Sequence, residues 1–96
     1  MLLALSAREI SHLRAFLDRN EDCEALSDRE YVADLYDLET PVSLDLVFCE
    51  GGVRVDGACA LKYDEAMEGY YLGDALEDAA AVRSALEQAG ALPEGA

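Results

Sequence analysis

The chain has 96 residues, 52% of them hydrophobic and 29% charged, and sets 21 Asp and Glu against 7 Lys and Arg for a formal charge of −14. That length suits one domain over residues 1–96 with a single core, because two halves would each be too small to bury enough surface. So negative a chain repels nucleic acid and anionic membranes and attracts basic surfaces, which argues against direct nucleic-acid binding.

The longest apolar run, Met1 to Leu5, is far shorter than the roughly 20 residues that cross a bilayer, so no membrane association is expected. Cys23, Cys49 and Cys59 are odd in number and form no C-x-x-C pair, which fits a reducing cytoplasm. The cations are six arginines and the single Lys62.

In chain order, Ser6-Ala7-Arg8-Glu9 reads as a capping box, stapled by Leu5 and Ile10. It predicts a first helix from Ala7 to Arg19 with Ile10, Leu13 and Leu17 on one face and Asn20 as its stop. Ser27-Asp28-Arg29-Glu30 repeats the signature and predicts a second helix to about Leu38, burying Tyr31, Leu35 and Leu38 and ending before Pro41. The alternating stretches Val42–Cys49 and Val53–Leu61 predict a β-hairpin. A two-residue turn at Gly51-Gly52 would set Phe48 opposite Val55, Leu46 opposite Gly57, Leu44 opposite Cys59 and Val42 opposite Leu61.

That register puts Cys49 and Cys59 on opposite faces, so no disulfide joins them. An alternative turn at Asp56-Gly57 would make a three-stranded meander, and Glu68–Leu72 offers a further short strand after a turn at Asp64–Met67. A last helix opening at Asp74 would align Ala75, Ala79, Val82, Leu86 and Ala89, with Gly90 as its C-terminal cap and residues 92–96 frayed. The fold class expected is α+β in the order α-α-β-β-(β)-α, an antiparallel hairpin-based sheet packed against helices.

Catalytic and metal-binding patterns are sparse. His12 is the only histidine and points away from the apolar stripe of its helix, no Cys pair has zinc spacing, and no acidic stretch has the D-x-D-x-D-G spacing of a calcium loop. No Gly-rich phosphate loop follows a strand. Neither a metal, a cofactor nor an enzymatic activity is expected.

Charge is the dominant signal. From Asp18 to Glu50 eleven acids face only Arg19 and Arg29, and Asp64, Glu65, Glu68, Asp74, Glu77 and Asp78 form a second cluster without a base. On the expected second helix, Glu30, Asp34 and Asp37 fall at i, i+4 and i+7, unpaired and roughly 6 Å apart, close to the step between phosphates along a nucleic-acid strand. Asp22 and Glu24 lie near that row. A solvated, solubilising face or a salt-adapted proteome explains such acidity equally simply. Arg8, His12 and Arg19 line the solvent side of the first helix as a positive stripe, able to meet the acidic face of a second copy in a homodimer. Tyr36, Tyr70 and Tyr71 are candidate interface anchors.

In size and charge the chain resembles phage and mobile-element inhibitors that imitate DNA, including anti-restriction and anti-CRISPR proteins. The resemblance is one of composition and rests on no alignable motif. It implies a non-enzymatic inhibitor whose carboxylates at Asp22, Glu24, Glu30, Asp34 and Asp37 occupy the basic groove of a nucleic-acid-binding protein. Two alternatives stand beside it: an immunity protein, antitoxin or secretion chaperone masking a basic toxin or effector, and a generic acidic cytoplasmic domain.

Overall fold

A computed structural model describes residues 1–94 of the chain. The element order is β1 (Leu2–Ala4), α1 (Ala7–Arg19), β2 (Cys23–Ala25), β3 (Glu30–Leu35), β4 (Val42–Cys49), β5 (Gly52–Asp64), β6 (Gly69–Ala75) and α2 (Ala79–Gln88). The α+β class and the antiparallel sheet are as expected, but one helix lies toward each end and the sheet fills the middle.

Helix α1 begins where its capping box dictates. The Ser6 hydroxyl accepts from the Glu9 amide at 3.1 Å, and the Glu9 carboxylate accepts from the Ser6 amide at 2.9 Å. Leu13 and Leu17 point into the core, and Asn20 ends the helix.

The expected second helix is instead the strand β3. Ser27 and Glu30 make the hydrogen bond that the capping motif promises, the Ser27 hydroxyl accepting from the Glu30 amide at 3.1 Å. Here it closes a hairpin loop, because the Leu26 amide donates to the Glu30 carbonyl at 2.7 Å and β2 then pairs antiparallel with β3. Tyr31 and Leu35 share a face in a helix and in a strand alike. Burial of Ala33 between them shows the period to be two.

Strand β5 is the spine of the six-stranded sheet, whose main path runs β1-β5-β4-β3-β2. On one side it pairs with β4, and on the other with β1 through Val53 and with β6 through Lys62. The β4–β5 hairpin forms, but its turn is Glu50-Gly51, with Gly51 at φ +80° and Cys49 opposite Gly52. Phe48 therefore faces Val53 and Leu46 faces Val55. Asp56 is then an extra, bulged residue, after which Asp45 faces Gly57, Leu44 faces Ala58, Ser43 faces Cys59 and Val42 faces Ala60. The Asp56-Gly57 turn signal thus produces a bulge inside one long strand.

This register also corrects the cysteine geometry. Cys49 and Cys59 lie on the same outer face, but their pairing positions, Gly52 and Ser43, set them about 20 Å apart along the hairpin, beyond the reach of a disulfide. All three cysteines are free.

The expected strand near Glu68–Leu72 is β6, following a turn at Glu65–Glu68. Asp74 and Ala75 belong to this strand, so α2 starts later, with the Asp78 carboxylate accepting from the Ala80 amide. Gly90, at φ +78°, follows the cap as the left-handed residue of a Schellman motif: its amide donates to the Glu87 carbonyl, and the Ala91 amide donates to the Leu86 carbonyl. Ala91 and Leu92 are buried, so the chain is still packed at residue 92, where fraying was expected. Residues 95–96 of that expected frayed end lie outside the described residues.

Both helices cover one face of the sheet. Leu13, Leu17, Val82 and Leu86 meet Tyr31, Ala33, Leu44, Leu46, Phe48 and Val53 in a single core, where truncating one leucine to alanine costs about 2–5 kcal/mol. The helices are tied side by side by Arg83, which pairs with Glu9, and by His12, whose Nε2 lies 3.1 Å from the Gly90 carbonyl oxygen.

Two predictions follow from this packing. A Cβ on Gly52 would sit 2.2 Å from the Leu3 carbonyl oxygen, whereas one on Gly69 meets nothing closer than 3.9 Å. Urea unfolding should show Gly52→Ala losing about 1–3 kcal/mol, and Gly69→Ala changing by less than about 0.5 kcal/mol. The Ser6 amide foremost, and then Arg83, hold the Glu9 carboxyl below its ordinary value of 4.5. Its stabilisation is thus complete above that value and is lost as pH falls through the depressed one, so the stability gap between wild type and Glu9→Gln should shrink as pH drops below 4.5.

Candidate functional site

With the helices on one face, the alternation of β3, β4 and β5 turns a second set of side chains to the open face. Glu30, Val32 and Asp34 come from β3, Ser43, Asp45, Val47 and Cys49 from β4, and Arg54, Gly57, Cys59 and Leu61 from β5. The cross-strand row Glu24, Val32, Asp45, Gly57 extends this face to β2 at the edge of the sheet.

The face is lined with carboxylates. Asp45 lies diagonally between Glu30 and Asp34, about 7–8 Å from each by ordinary antiparallel spacing. Asp45 can lean across β5 because Gly57 has no side chain; a Cβ there would fall 2.7 Å from Asp45 Oδ2. Asp56, displaced by the bulge, shares a shallow recess with Glu30, Val32, Asp45 and Val47.

Arg54 is the base on this face, and it is already engaged: its Nε and Nη2 donate to the two Asp56 carboxylate oxygens at 2.6 and 3.0 Å. That pair raises the Arg54 pKa and lowers the Asp56 pKa. Glu24, Glu30, Asp34 and Asp45 enter no ion pair among the described residues. Asp34 accepts instead from the Ser43 hydroxyl at 2.7 Å.

The residues singled out from sequence separate into groups. Glu24, Glu30 and Asp34 share the open face, but Glu30 and Asp34 are about 13 Å apart on an extended strand, so the helical row with Asp37 does not exist. Asp37 lies beyond β3 and lines a recess with Asp22, Asp34 and Tyr36. Asp22 sits against β3, its carbonyl accepting from the Asp34 amide at 3.1 Å. Asp45 and Asp56 were missed, although the Leu44-Asp45-Leu46 alternation marks Asp45 as outward.

The tyrosines also divide. Tyr36 packs on Tyr70 with ring centroids 5.0 Å apart, and Tyr63, directly opposite Tyr70, approaches it to 5.2 Å. Tyr71 is on the other face of β6, opposite Lys62. Arg8, His12 and Arg19 do not form one free stripe, because the His12 imidazole contacts the Gly90 carbonyl between the helices.

Burial foremost, and then the Asp22 and Asp34 carboxylates, push the Cys23 thiol up to about 11, which holds it protonated. Among the described residues no three His, Cys, Asp or Glu side chains converge to hold a metal ion, and no helix is long and apolar enough to cross a membrane. A groove of about 370 Å³ lies between α2 and the sheet, with Val42, Ala60 and Ala85 in its lining and Glu39 and Asp74 as its acids.

The thiol environments give a direct check. At pH 8 a disulfide reagent should modify exposed Cys49 first and Cys23 last, read by mass spectrometry of peptides at timed quenches; rapid reaction at Cys23 would contradict its placement. Compared with known families, curated proteins and solved structures, the chain matches none.

Proposed function

We propose that the protein is a non-enzymatic acidic inhibitor that docks on a basic, nucleic-acid-binding protein and occupies the site where that partner holds phosphates. The observation that supports this reading is the open sheet face, on which Glu24, Glu30, Asp34 and Asp45 have no ion-pair partner among the described residues while the neighbouring Arg54 is held by Asp56. A pleated sheet fixes these carboxylates on a semi-rigid lattice, so little ordering entropy is lost when lysines or arginines meet them. The formal charge of −14 would steer a basic partner over a Debye length before contact.

This lattice replaces the single helical row expected from sequence. It is two-dimensional and follows strand spacings, and it takes its central charge from Asp45. The recess around Asp56, Val32 and Val47 gives the face a small apolar floor between the charges. DNA mimicry, in the manner of anti-restriction or anti-CRISPR proteins, is the form of inhibition such a surface suits. An immunity protein, antitoxin or chaperone masking a basic toxin is favoured only by the exposed tyrosines beside the sheet, a residue type that anchors protein interfaces.

The test captures partners from a bacterial lysate on the immobilised protein, with washes in salt and in duplex DNA. The partner should be released by both, and the combined substitution Glu30→Lys, Asp34→Lys and Asp45→Lys should weaken its binding about a hundredfold or more, while Glu94→Lys changes it little. A partner retained in excess DNA points to toxin masking. Binding that ignores the triple reversal removes the sheet face from the contact.

A further inference from the structure

Beyond Val42, the first residue of β4, the end of β5 from Leu61 and the paired part of β6 from Gly69 to Leu72 form an arm, while Asp74 and Ala75 at the end of β6 line the groove beside α2. The final β4–β5 pair is Val42 with Ala60, whereas β5 continues to Asp64 with only β6 beside it. Tyr63, Met67, Tyr70, Tyr71 and Leu72 are exposed on this arm, Met67 to 73% and Leu72 to 65%. Tyr63, Tyr70 and Leu72 share its outer side with Leu61, which is buried but lies outside the main core. Tyr36 reaches over from the end of β3 to close the cluster. Exposed apolar side chains grouped in this way are typical of interaction surfaces, and they stand out on a protein of −14 charge.

The second feature is the strand edge. Strand β6 pairs with β5 alone, and its sequence Gly-Tyr-Tyr-Leu-Gly-Asp-Ala carries neither the lysine nor the proline that commonly blunts an edge. Its free side therefore offers backbone donors and acceptors to an added strand. The surroundings select the charge of that strand: Asp64, Glu65, Glu68 and Asp74 flank the arm, Asp34 and Asp37 border Tyr36, and the one local cation, Lys62, lies 3.9 Å from Asp74. A second copy fits poorly, because it would bring another net charge of −14 and the same flanking carboxylates against this edge.

We propose that the free edge of β6 takes an extended, arginine-bearing segment of the basic partner, whose apolar side chains cover Tyr70 and Leu72 and whose guanidinium groups reach the tyrosine rings and flanking carboxylates. This rests on the reading of the partner as a basic protein. Arginine is favoured over lysine because its planar, weakly hydrated cation stacks on aromatic faces and binds carboxylates in a bidentate manner.

The chain has five tyrosines and no tryptophan, and four of the five, Tyr36, Tyr63, Tyr70 and Tyr71, belong to this region, so tyrosine fluorescence reports on it. The probe is a synthetic peptide of alternating arginine and valine, titrated against the full chain beside a lysine-valine and a glutamate-valine peptide. The arginine peptide should change the emission saturably, bind at least several-fold tighter than the lysine peptide, and slow hydrogen exchange at β6 amides. The double variant Tyr70→Ser and Leu72→Ser, shown folded by circular dichroism, should lose at least tenfold in affinity. Equal binding by that variant, or equal binding of the lysine and arginine peptides, overturns the proposal. So does a wild-type dimer in sedimentation that the same variant dissociates, since the arm would then be covered by a second copy. None of these outcomes touches the triple charge reversal on the sheet face, which judges the underlying reading separately.

Discussion

Backbone pairing along β5 is the constraint on which the rest of the molecule depends. One thirteen-residue strand carries β4 along one side and β1 and β6 in succession along the other, so its direction fixes where every other strand lies. A strand that long twists and bends, and the bulge at Asp56 is where the ladder accommodates this. Before the bulge Val53 and Val55 face the helices; after it Ala58 does, so the inward set survives the change of parity. The same bulge turns Asp56 toward Arg54 and leaves room at Gly57 for Asp45. A packing requirement of the core thus shapes the charged face opposite.

Covering the sheet on one side alone separates the two demands on the sequence. The helix side carries the hydrophobic driving force, with no polar or charged side chain among its buried residues. The open side is free to collect carboxylates, whose mutual repulsion at strand spacings costs only fractions of a kcal/mol per pair in water. Arg14 joins the two regions at the edge: its guanidinium lies over the Phe48 ring at 4.7 Å and donates to the Asp28 carbonyl, clamping the loop that leads into β3. Tyr31 adds a hydrogen bond to Asp18 at 2.8 Å, so the entry to the acidic strand is held to α1 from two sides.

Legibility in the sequence followed the range of the interactions. Helix α1 was readable to the residue because capping box, staple and apolar period agree within fifteen consecutive positions, Leu5 to Arg19. Strand β4 was readable from strict alternation. Strand β3 was not, because Ser27 makes the same hydrogen bond to the Glu30 amide in a loop as at a helix start, and Tyr31 and Leu35 satisfy both periods. The three-residue strands β1 and β2 have no local signature, existing only through β5 and β3. Nor could the hairpin turn be placed, since Gly52 is needed against the Leu3 carbonyl, a contact between residues 49 positions apart. Charge was legible as an amount, whereas its layout was not: Glu24, Glu30 and Asp34 reach one face by strand alternation instead of helical spacing, and Asp45, outward by the alternation of β4, is placed between Glu30 and Asp34 only by the β3–β4 register.

The central claim, that the open sheet face is the contact, is tested most directly by carboxylate footprinting of the free protein and of its complex with the captured partner. Carbodiimide coupling of an amine probe, read residue by residue by mass spectrometry, should show Glu24, Glu30, Asp34 and Asp45 protected in the complex while Glu87 and Glu94 label as before. Protection confined to α2 or to Glu21, with those four carboxylates labelling equally in both states, would contradict the account.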